Sequence, residues 1–206
     1  MRHAPREGLS RERIIAAALA IMDADGVDGL SMRRLGQALG VDPMAVYYHV
    51  PNKGALYDGI VEHLWGSVRL PAMRPGERWP DLLEQIFADF RARLLEHPLA
   101  VTLVGTRPAV SAAMLRLVDD SLGRLEAAGL SGWDAMELID CLSGYVVGKV
   151  LAETASLRGA DEVAASLSAV TAESHPSLAA VMVSGYGFSP DEEFVRGLQA
   201  LIAGWR

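Results

Sequence analysis

The sequence predicts an all-α fold of about nine to ten helices. Apolar residues recur three and four positions apart along most of the 206 residues, as on one face of a helix, and no segment shows the alternation of a β-strand. A loop with three prolines and a glycine, residues 69–80, separates a short N-terminal part from a longer one. We therefore expect a flexible arm at 1–9, a helical domain at 10–66 and a second helical domain at 67–206.

The first helix is predicted to begin after Ser10 and to end at Gly26. Its apolar residues have helical spacing: Ile14, Ile15, Ala18, Leu19 and Met22. This spacing predicts a helix with one buried face, which would support the segment that follows it.

The next segment has the pattern of two short helices joined by a sharp turn. Ser31 can cap the first helix, and Gly40 gives the backbone the freedom to end it. Asp42 and the proline after it suit the start of the second helix, where a side-chain acceptor is favoured and no N–H is needed. Pro51 should end that helix, because the residue before a proline is pushed out of the α region. This is the pattern of a helix-turn-helix, which places its second helix in the major groove of DNA.

Any two short helices with a glycine between them share part of this pattern, so the turn alone does not establish DNA binding. Two further features favour it. The second helix presents Tyr47, Tyr48 and His49 where an ordinary bundle helix would carry Glu or Lys. Asn52 and Lys53 then open another helix, whose positive N-terminus suits a phosphate.

Residues 10–66 resemble the DNA-binding domain of the TetR (tetracycline-repressor) family, without a gap over more than fifty residues. The residues that carry the resemblance are Ile14 to Ala18, Gly26, Gly29 to Ser31, Arg33, Leu35, Leu39 to Val41, Tyr47 to Val50, Asn52 and Lys53. The resemblance implies a transcriptional regulator with a larger helical domain for ligand binding and dimerisation.

The resemblance also assigns DNA contacts, and the chemistry of the residues supports them. Arg33 is expected to read a base, because a guanidinium can bond O6 and N7 of guanine together. The start of the recognition helix offers only apolar contact with thymine methyl groups, so DNA shape should carry much of the specificity. The residues expected there are Pro43, Met44 and Ala45. Phosphate contacts are expected from Ser31, Tyr47, His49 and Lys53, while Tyr48 could reach a base or a phosphate. The alternative for Tyr47 is a core aromatic.

The net charge of the chain is −7, but it is unevenly spread. Residues 1–56 hold seven Lys/Arg against six Asp/Glu, a net of +1, so the remainder carries −8. DNA binding needs positive charge near phosphates rather than a basic whole protein. The arm contributes Arg2, His3 and Arg6, which could enter a minor groove or form an idle tail.

Helical patterns continue through the second domain. Predicted helices cover 53–68, 81–97, 99–106, a segment starting at Pro108 and stopped by Gly129, 133–157, 161–173, 176–183 and 191–205. The helix at 133–157 is apolar nearly all round and should be buried on most sides. Its small residues Gly144, Gly148 and Ala152 lie four apart, which permits close packing by another helix; internal packing is the alternative to a partner. The family resemblance implies that 133–157 and 191–205 form a four-helix homodimer interface.

A weaker resemblance extends to the tetracycline repressors themselves, in the segment Leu103-Val104-Gly105-Thr106-Arg107-Pro108. Those repressors have a magnesium-binding histidine where this chain has Leu103, so a magnesium–tetracycline inducer is not implied here. We expect neither a metal site nor a cofactor. The candidate ligand-pocket residues are Phe87, Phe90, Thr106, Met114, Leu117, Tyr145 and Lys149. Each could instead be a core residue, and Lys149 could simply pair with Glu153, four residues on.

The function predicted from these patterns is a ligand-responsive transcriptional regulator, a repressor that leaves a palindromic DNA operator when a small molecule binds. No apolar stretch reaches the roughly 18 residues of a membrane span, and the single Cys141 forms no internal disulfide, so a soluble cytoplasmic protein is expected. One alternative is a ligand-binding helical protein without operator binding. The other is an α-helical enzyme with a scattered site, although the sequence has no metal-binding His-Glu-x-x-His, no phosphate-binding glycine loop and no nucleophile elbow.

Overall fold

The computed structural model describes residues 8–72, 74–107, 110–185, 187 and 189–205, and it describes the backbone alone at 156–158 and 160. Over these residues the fold is all-α as predicted, with eleven α-helices rather than nine to ten. The helices are α1 (Arg11–Asp25), α2 (Met32–Leu39), α3 (Pro43–His49), α4 (Lys53–Ser67), α5 (Trp79–Glu96), α6 (Val101–Thr106), α7 (Ala112–Ala127), α8 (Gly132–Arg158), α9 (Ala160–Ser168), α10 (Pro176–Val183) and α11 (Pro190–Gly204). The first seven residues of the predicted arm lie outside the described residues.

The helix ends of the N-terminal part follow local chemistry. The Ser10 and Ser31 hydroxyls accept hydrogen bonds from backbone N–H groups at the starts of α1 and α2. Gly40 ends α2 in the left-handed conformation, with φ of 67°. The Asp42 carboxylate accepts from the N–H of Met44 at 2.7 Å and caps α3. The predicted ends of these helices are confirmed.

Two predicted boundaries of the second domain were wrong. The helix expected to start at Pro108 begins at Ala112, because the Ser111 hydroxyl accepts from the N–H of Met114 at 3.1 Å and caps it there. Pro108 itself lies outside the described residues. The helix expected at 161–173 ends at Ser168.

The buried apolar residues form two cores. The first is built from α1 to α4, and α6 adds Ala100 (its N-cap residue) and Leu103 to it. The second is built mainly from α5, α8 and α11, with Leu125 of α7. Trp65 of α4 packs against both cores, so α4 connects the N-terminal helices to the rest of the molecule.

The long helix α8 buries one face only, which corrects the expectation that it is buried on most sides. Ala135, Leu138, Leu142, Val146 and Val150 are buried against the second core. The small residues Gly144, Gly148 and Ala152 are exposed. A Cβ atom added at either glycine would meet nothing within 4 Å, so internal packing does not explain these glycines. The outer face of α8 is left uncovered by the described part of the chain.

A charged group joins three helices of the second domain. Arg91 of α5 contacts Glu153 of α8 at 2.9 Å and Asp191 of α11 at 2.8 Å, and its guanidinium lies 4.8 Å from the ring centre of Phe194. Burial lowers the pKa of Arg91, but its hydrogen bonds to the two carboxylates outweigh burial and leave the pKa above its ordinary value. The arginine is therefore charged at any working pH and holds α5, α8 and α11 together.

Candidate functional site

The helix-turn-helix depends on a close contact between α2 and α3. Gly36 of α2 is buried, and a Cβ atom placed on it would lie 3.1 Å from the Cα of Pro43. That distance is tighter than an ordinary van der Waals contact, so a residue without a side chain lets α3 start against α2. Val46 is fully buried on the inner face of α3. The sequence reasoning missed the role of Gly36, although a glycine in the middle of a helix is a signal of close approach.

The outer face of α3 carries large side chains exposed to solvent. Met44 is 64% exposed, Tyr47 40% and Tyr48 89%, and His49 is exposed as well. Pro43 and Ala45 are half-buried. The exposure of Tyr47 argues against its being a core aromatic. The contacts of these six α3 residues with DNA remain a prediction.

Two adjacent arginines of α2 have different surroundings. Arg34 forms an ion pair with Asp25 at the end of α1 and donates to the carbonyl of Gly29 at 3.2 Å. The Arg33 side chain is exposed and forms no hydrogen bond or ion pair with any described residue. Arg34 thus stabilises the fold, while the Arg33 guanidinium is not used by the described residues, and its contact with a base remains a prediction.

The start of α4 presents the remaining candidate phosphate ligand. The Asn52 amide oxygen accepts from the N–H of Ala55 at 2.8 Å and caps the helix. Lys53, in the first turn, is exposed, with its Nζ 5.4 Å from the ring centre of Tyr57. Ser31 uses a lone pair of its hydroxyl as a helix cap and keeps its proton for another acceptor. The nine candidate contact residues lie at the start of α2, along α3 and at the start of α4.

A cavity of about 170 Å³ lies in the second domain between the end of α4 and helices α5, α7 and α8. Four of the seven predicted pocket residues line it: Phe87, Phe90, Met114 and Leu117. The Trp65 and Phe90 rings are stacked with centres 4.5 Å apart, and Phe87 meets Phe90 edge to face at 6.3 Å. The cavity is apolar and aromatic.

The other three predicted pocket residues do not line this cavity. Thr106 is exposed and donates to the carbonyl of Thr102 at 2.6 Å. The Tyr145 hydroxyl donates to the carbonyl of Phe194 at 3.0 Å, and burial raises the pKa of Tyr145 above its ordinary value. Lys149 forms an ion pair with Glu193 of α11 at 3.1 Å, rather than the local pair with Glu153 considered above.

Further lining residues were missed by the sequence reasoning: Trp65, Val68, Leu83, Ile86, Val118, Ser121, Met136, Ile139, Asp140 and Ser143. Most of them share the helical spacing of core residues, so the pattern could not separate cavity from core. Asp140 is the exception, because a carboxylate between Leu138 and Leu142 interrupts the apolar run of α8. It is the only charged side chain among these lining residues.

The described residues contain no group of three or more His, Cys, Asp or Glu side chains that could hold a metal ion. Leu103, at the position of the magnesium-binding histidine, is 5% exposed and packs in the first core. Within the described part of the chain, no helix is both long enough and apolar enough to cross a membrane.

Comparison with known proteins agrees with this arrangement. The family model of the N-terminal domain, "Bacterial regulatory proteins, tetR family", matches residues 14–60. The model "Tetracyclin repressor-like, C-terminal domain" matches residues 70–206. Together the two models match most of the residues of both cores, leaving out the second half of α4 and the residues directly after it.

Similar proteins span nearly the whole chain. An HTH-type transcriptional regulator of Saccharopolyspora erythraea is 34% identical over 95% of this chain and 84% of its own. The class C tetracycline repressor of Escherichia coli is 34% identical over 95% of this chain and 90% of its own. The structure of the Streptomyces coelicolor TetR family protein ActR in complex with actinorhodin superposes with a TM-score of 0.79 at 29% identity, covering 97% of each chain. The chain belongs to the TetR family and is a ligand-responsive, DNA-binding transcriptional regulator.

Proposed function

We propose that two copies of this chain form a homodimer that represses transcription by binding a palindromic DNA operator, and that a small molecule entering the cavity releases the DNA. The observation that carries the proposal is the position of α4. This helix begins at Lys53, beside the recognition helix α3, and its other end contributes Trp65 and Val68 (its C-cap residue) to the cavity wall. Fifteen residues of α-helix span about 22 Å, so one rigid element connects the two sites.

A second contact supports coupling through α4. Arg107, directly after α6, forms an ion pair with Asp58 of α4 at 2.7 Å and reaches the carbonyl of Gly54 at 3.4 Å. A ligand that displaced α7 or the segment after α6 would therefore also act on the first turns of α4. Release requires the ligand to bind the DNA-free arrangement more tightly than the DNA-bound one.

Dimerisation is supported by the uncovered apolar and small residues of the second domain. Exposed apolar or small residues occur on α8, on α9, on α10 and, at Val195, on α11. Helix α10 has no buried residue, which a lone chain does not explain. The exposed apolar residues of α9 and α10 are Val163, Leu167, Leu178, Val181, Met182 and Val183. A second copy covering these faces would hold two recognition helices at a fixed separation, as reading two half-sites requires.

The names of the relatives suggest the effector class. A tetracycline repressor and a TetR family protein that binds actinorhodin are both similar to this chain. We extend this to an aromatic small molecule as the effector here, because Trp65, Phe87 and Phe90 line the cavity. Operator binding would require the protein to act in the cytoplasm, where bacterial DNA lies.

The proposal is tested by selecting random duplex DNA with the purified protein at moderate salt. The Tyr47→Ala, Lys53→Ala variant and an Arg74→Ala control, which removes an exposed arginine of the second domain, are selected in parallel. We expect an enriched palindrome with wild type and with the control, and none with the double variant. In the single variant Lys53→Ala, the salt dependence of operator binding should fall by roughly one phosphate contact per subunit. Absence of any enriched sequence at low salt would favour a ligand-binding protein or an enzyme instead.

A further inference from the structure

A groove adjoins the aromatic cavity and differs from it in charge. It has a volume of about 520 Å³ and lies between the end of α4 and the outer side of α7. Its lining residues are Trp65, Gly66, Val68, Arg69, Leu70, Ala113, Arg116, Leu117, Asp120 and Arg124. Trp65, Val68 and Leu117 line the cavity as well, so the two spaces share a wall.

Three arginines and one aspartate give the groove a net positive charge within an acidic chain. Arg124 is held by a hydrogen bond to the carbonyl of Pro71. The guanidinium groups of Arg69 and Arg116 have no hydrogen bond or ion pair with any described residue. Arginine presents a planar set of donors that matches a carboxylate in a two-bond geometry, so this groove suits an anionic group.

We propose that the effector is an aromatic carboxylic acid, with its rings in the cavity and its carboxylate in the groove against Arg69 and Arg116. This inference rests on the function proposed above and narrows its ligand. The cavity, at about 170 Å³, is slightly larger than the 150 Å³ or so that accommodates benzene, so one aromatic ring fits without rearrangement, and a second fused ring would extend towards the groove. Because Trp65, Val68 and Leu117 line both spaces, the cavity and the groove lie one side chain apart, and a molecule that enters the cavity from the groove would keep its carboxylate beside the arginines.

The same binding mode explains how a ligand would act on the DNA-binding domain. Arg69 follows the end of α4, whereas Arg116 belongs to α7. A carboxylate held between them would connect the end of α4 to α7, adding a contact that the empty protein lacks. The competing anchor is Asp140 on the cavity wall, which would select an aromatic cation instead. The cavity and the groove together hold three arginines against the two aspartates Asp120 and Asp140, and two of those arginines have no hydrogen bond or ion pair with a described residue, so an acid is favoured over a cation.

The test compares three probes of equal ring size by calorimetric titration of the full chain: 2-naphthoate, neutral 2-naphthamide and cationic 2-naphthylmethylammonium. We expect naphthoate to bind about tenfold or more tightly than the amide. The Arg69→Gln, Arg116→Gln variant should remove this preference and leave amide binding unchanged. Arg74→Gln, a control that removes an exposed arginine outside the groove, should retain it.

Equal binding of acid and amide, preference for the cation, or no binding of any probe would overturn the inference. The inference would also be overturned if the Arg69→Gln, Arg116→Gln variant preferred naphthoate over the amide as strongly as wild type does. Operator binding without ligand is measured separately. If the protein binds an operator but does not prefer naphthoate, only the ligand class is rejected. If it prefers naphthoate but binds no operator, the proposed repressor function is rejected, and the carboxylate site between Arg69 and Arg116 stands.

Discussion

At the scale of single residues, two neighbouring arginines of α2 differ in their partners and are expected to differ in their roles. Arg33 has no protein partner among the described residues, while Arg34 binds Asp25 and the carbonyl of Gly29. We expect Arg33→Ala to weaken operator binding by about 1–3 kcal/mol and to relax base preference at one position of each half-site. Fluorescence anisotropy with the selected operator and its single-base variants measures both effects.

Arg34→Ala is the matched control for that experiment. Its ion pair is half-exposed, so the loss of unfolding free energy should stay below about 1 kcal/mol, with base preference unchanged. If Arg33→Ala weakens every DNA sequence equally, Arg33 binds a phosphate and the base-reading role is wrong.

Gly36 in α2 is a second position where adding a single atom, the Cβ, should change both stability and operator binding. In Gly36→Ala the new Cβ would lie 3.1 Å from three atoms of Pro43, two of them backbone, so α3 must move. We expect overpacking of about 1–3 kcal/mol to exceed the roughly 1 kcal/mol gained in helix propensity. Both thermal stability and operator affinity should fall.

The control is Gly123→Ala in α7, where a Cβ would meet nothing within 4 Å. There the gain in helix propensity should raise the unfolding free energy and leave DNA binding unchanged. A Gly36→Ala protein with wild-type operator affinity would contradict the close contact between α2 and α3.

At the scale of helices, Arg91 connects α5, α8 and α11 through its ion pairs with Glu153 and Asp191. Arg91→Ala leaves the Glu153 carboxylate buried without its cation, so we expect a loss of about 3–5 kcal/mol of unfolding free energy. Glu153→Gln should cost less, about 1–2 kcal/mol, because Asp191 still pairs with the arginine. Chemical denaturation at equal protein concentrations measures both values.

Arg93→Ala, on the same helix, gives the comparison. Its ion pairs with Asp89 and Glu96 lie within α5, so its loss should cost less than about 1 kcal/mol. If Arg91→Ala and Arg93→Ala lowered the unfolding free energy equally, the contact of Arg91 with three helices would add nothing to stability.

The sequence predicts where the helices begin and end better than it predicts which of their residues face the cavity. Caps such as Ser31, Gly40 and Asp42 act within four residues, so the first domain was predicted almost to the residue. Pocket membership depends on where helices lie in space, and Phe87 has the same local pattern whether it faces a cavity or a core. Lys149 illustrates the limit, since its partner Glu193 lies 44 residues away.

At the scale of the whole molecule, the charge distribution suits a DNA-binding dimer. Residues 1–56 carry a net charge of +1 and the remainder −8. The net negative charge of the second domain would disfavour DNA there and favour its approach to the face presented by α3 and the starts of α2 and α4. In the proposed dimer, both copies of this face would have to lie on the same side to contact the operator.

The proposed dimer is tested on the uncovered face of α8. Gly148 is exposed and a Cβ atom built on it meets nothing within 4 Å, so an arginine there can extend into solvent and the single chain of Gly148→Arg should fold as before. A second copy packed closely there would be forced away, and we expect a monomer by sedimentation velocity at micromolar concentration. Operator affinity should fall at least tenfold, because each half-site is then bound separately. Gly123→Arg, equally open on α7, should stay dimeric and bind DNA normally. A Gly148→Arg protein that remains a dimer would show that α8 is not at the interface, and the two recognition helices would have to be held together by other surfaces.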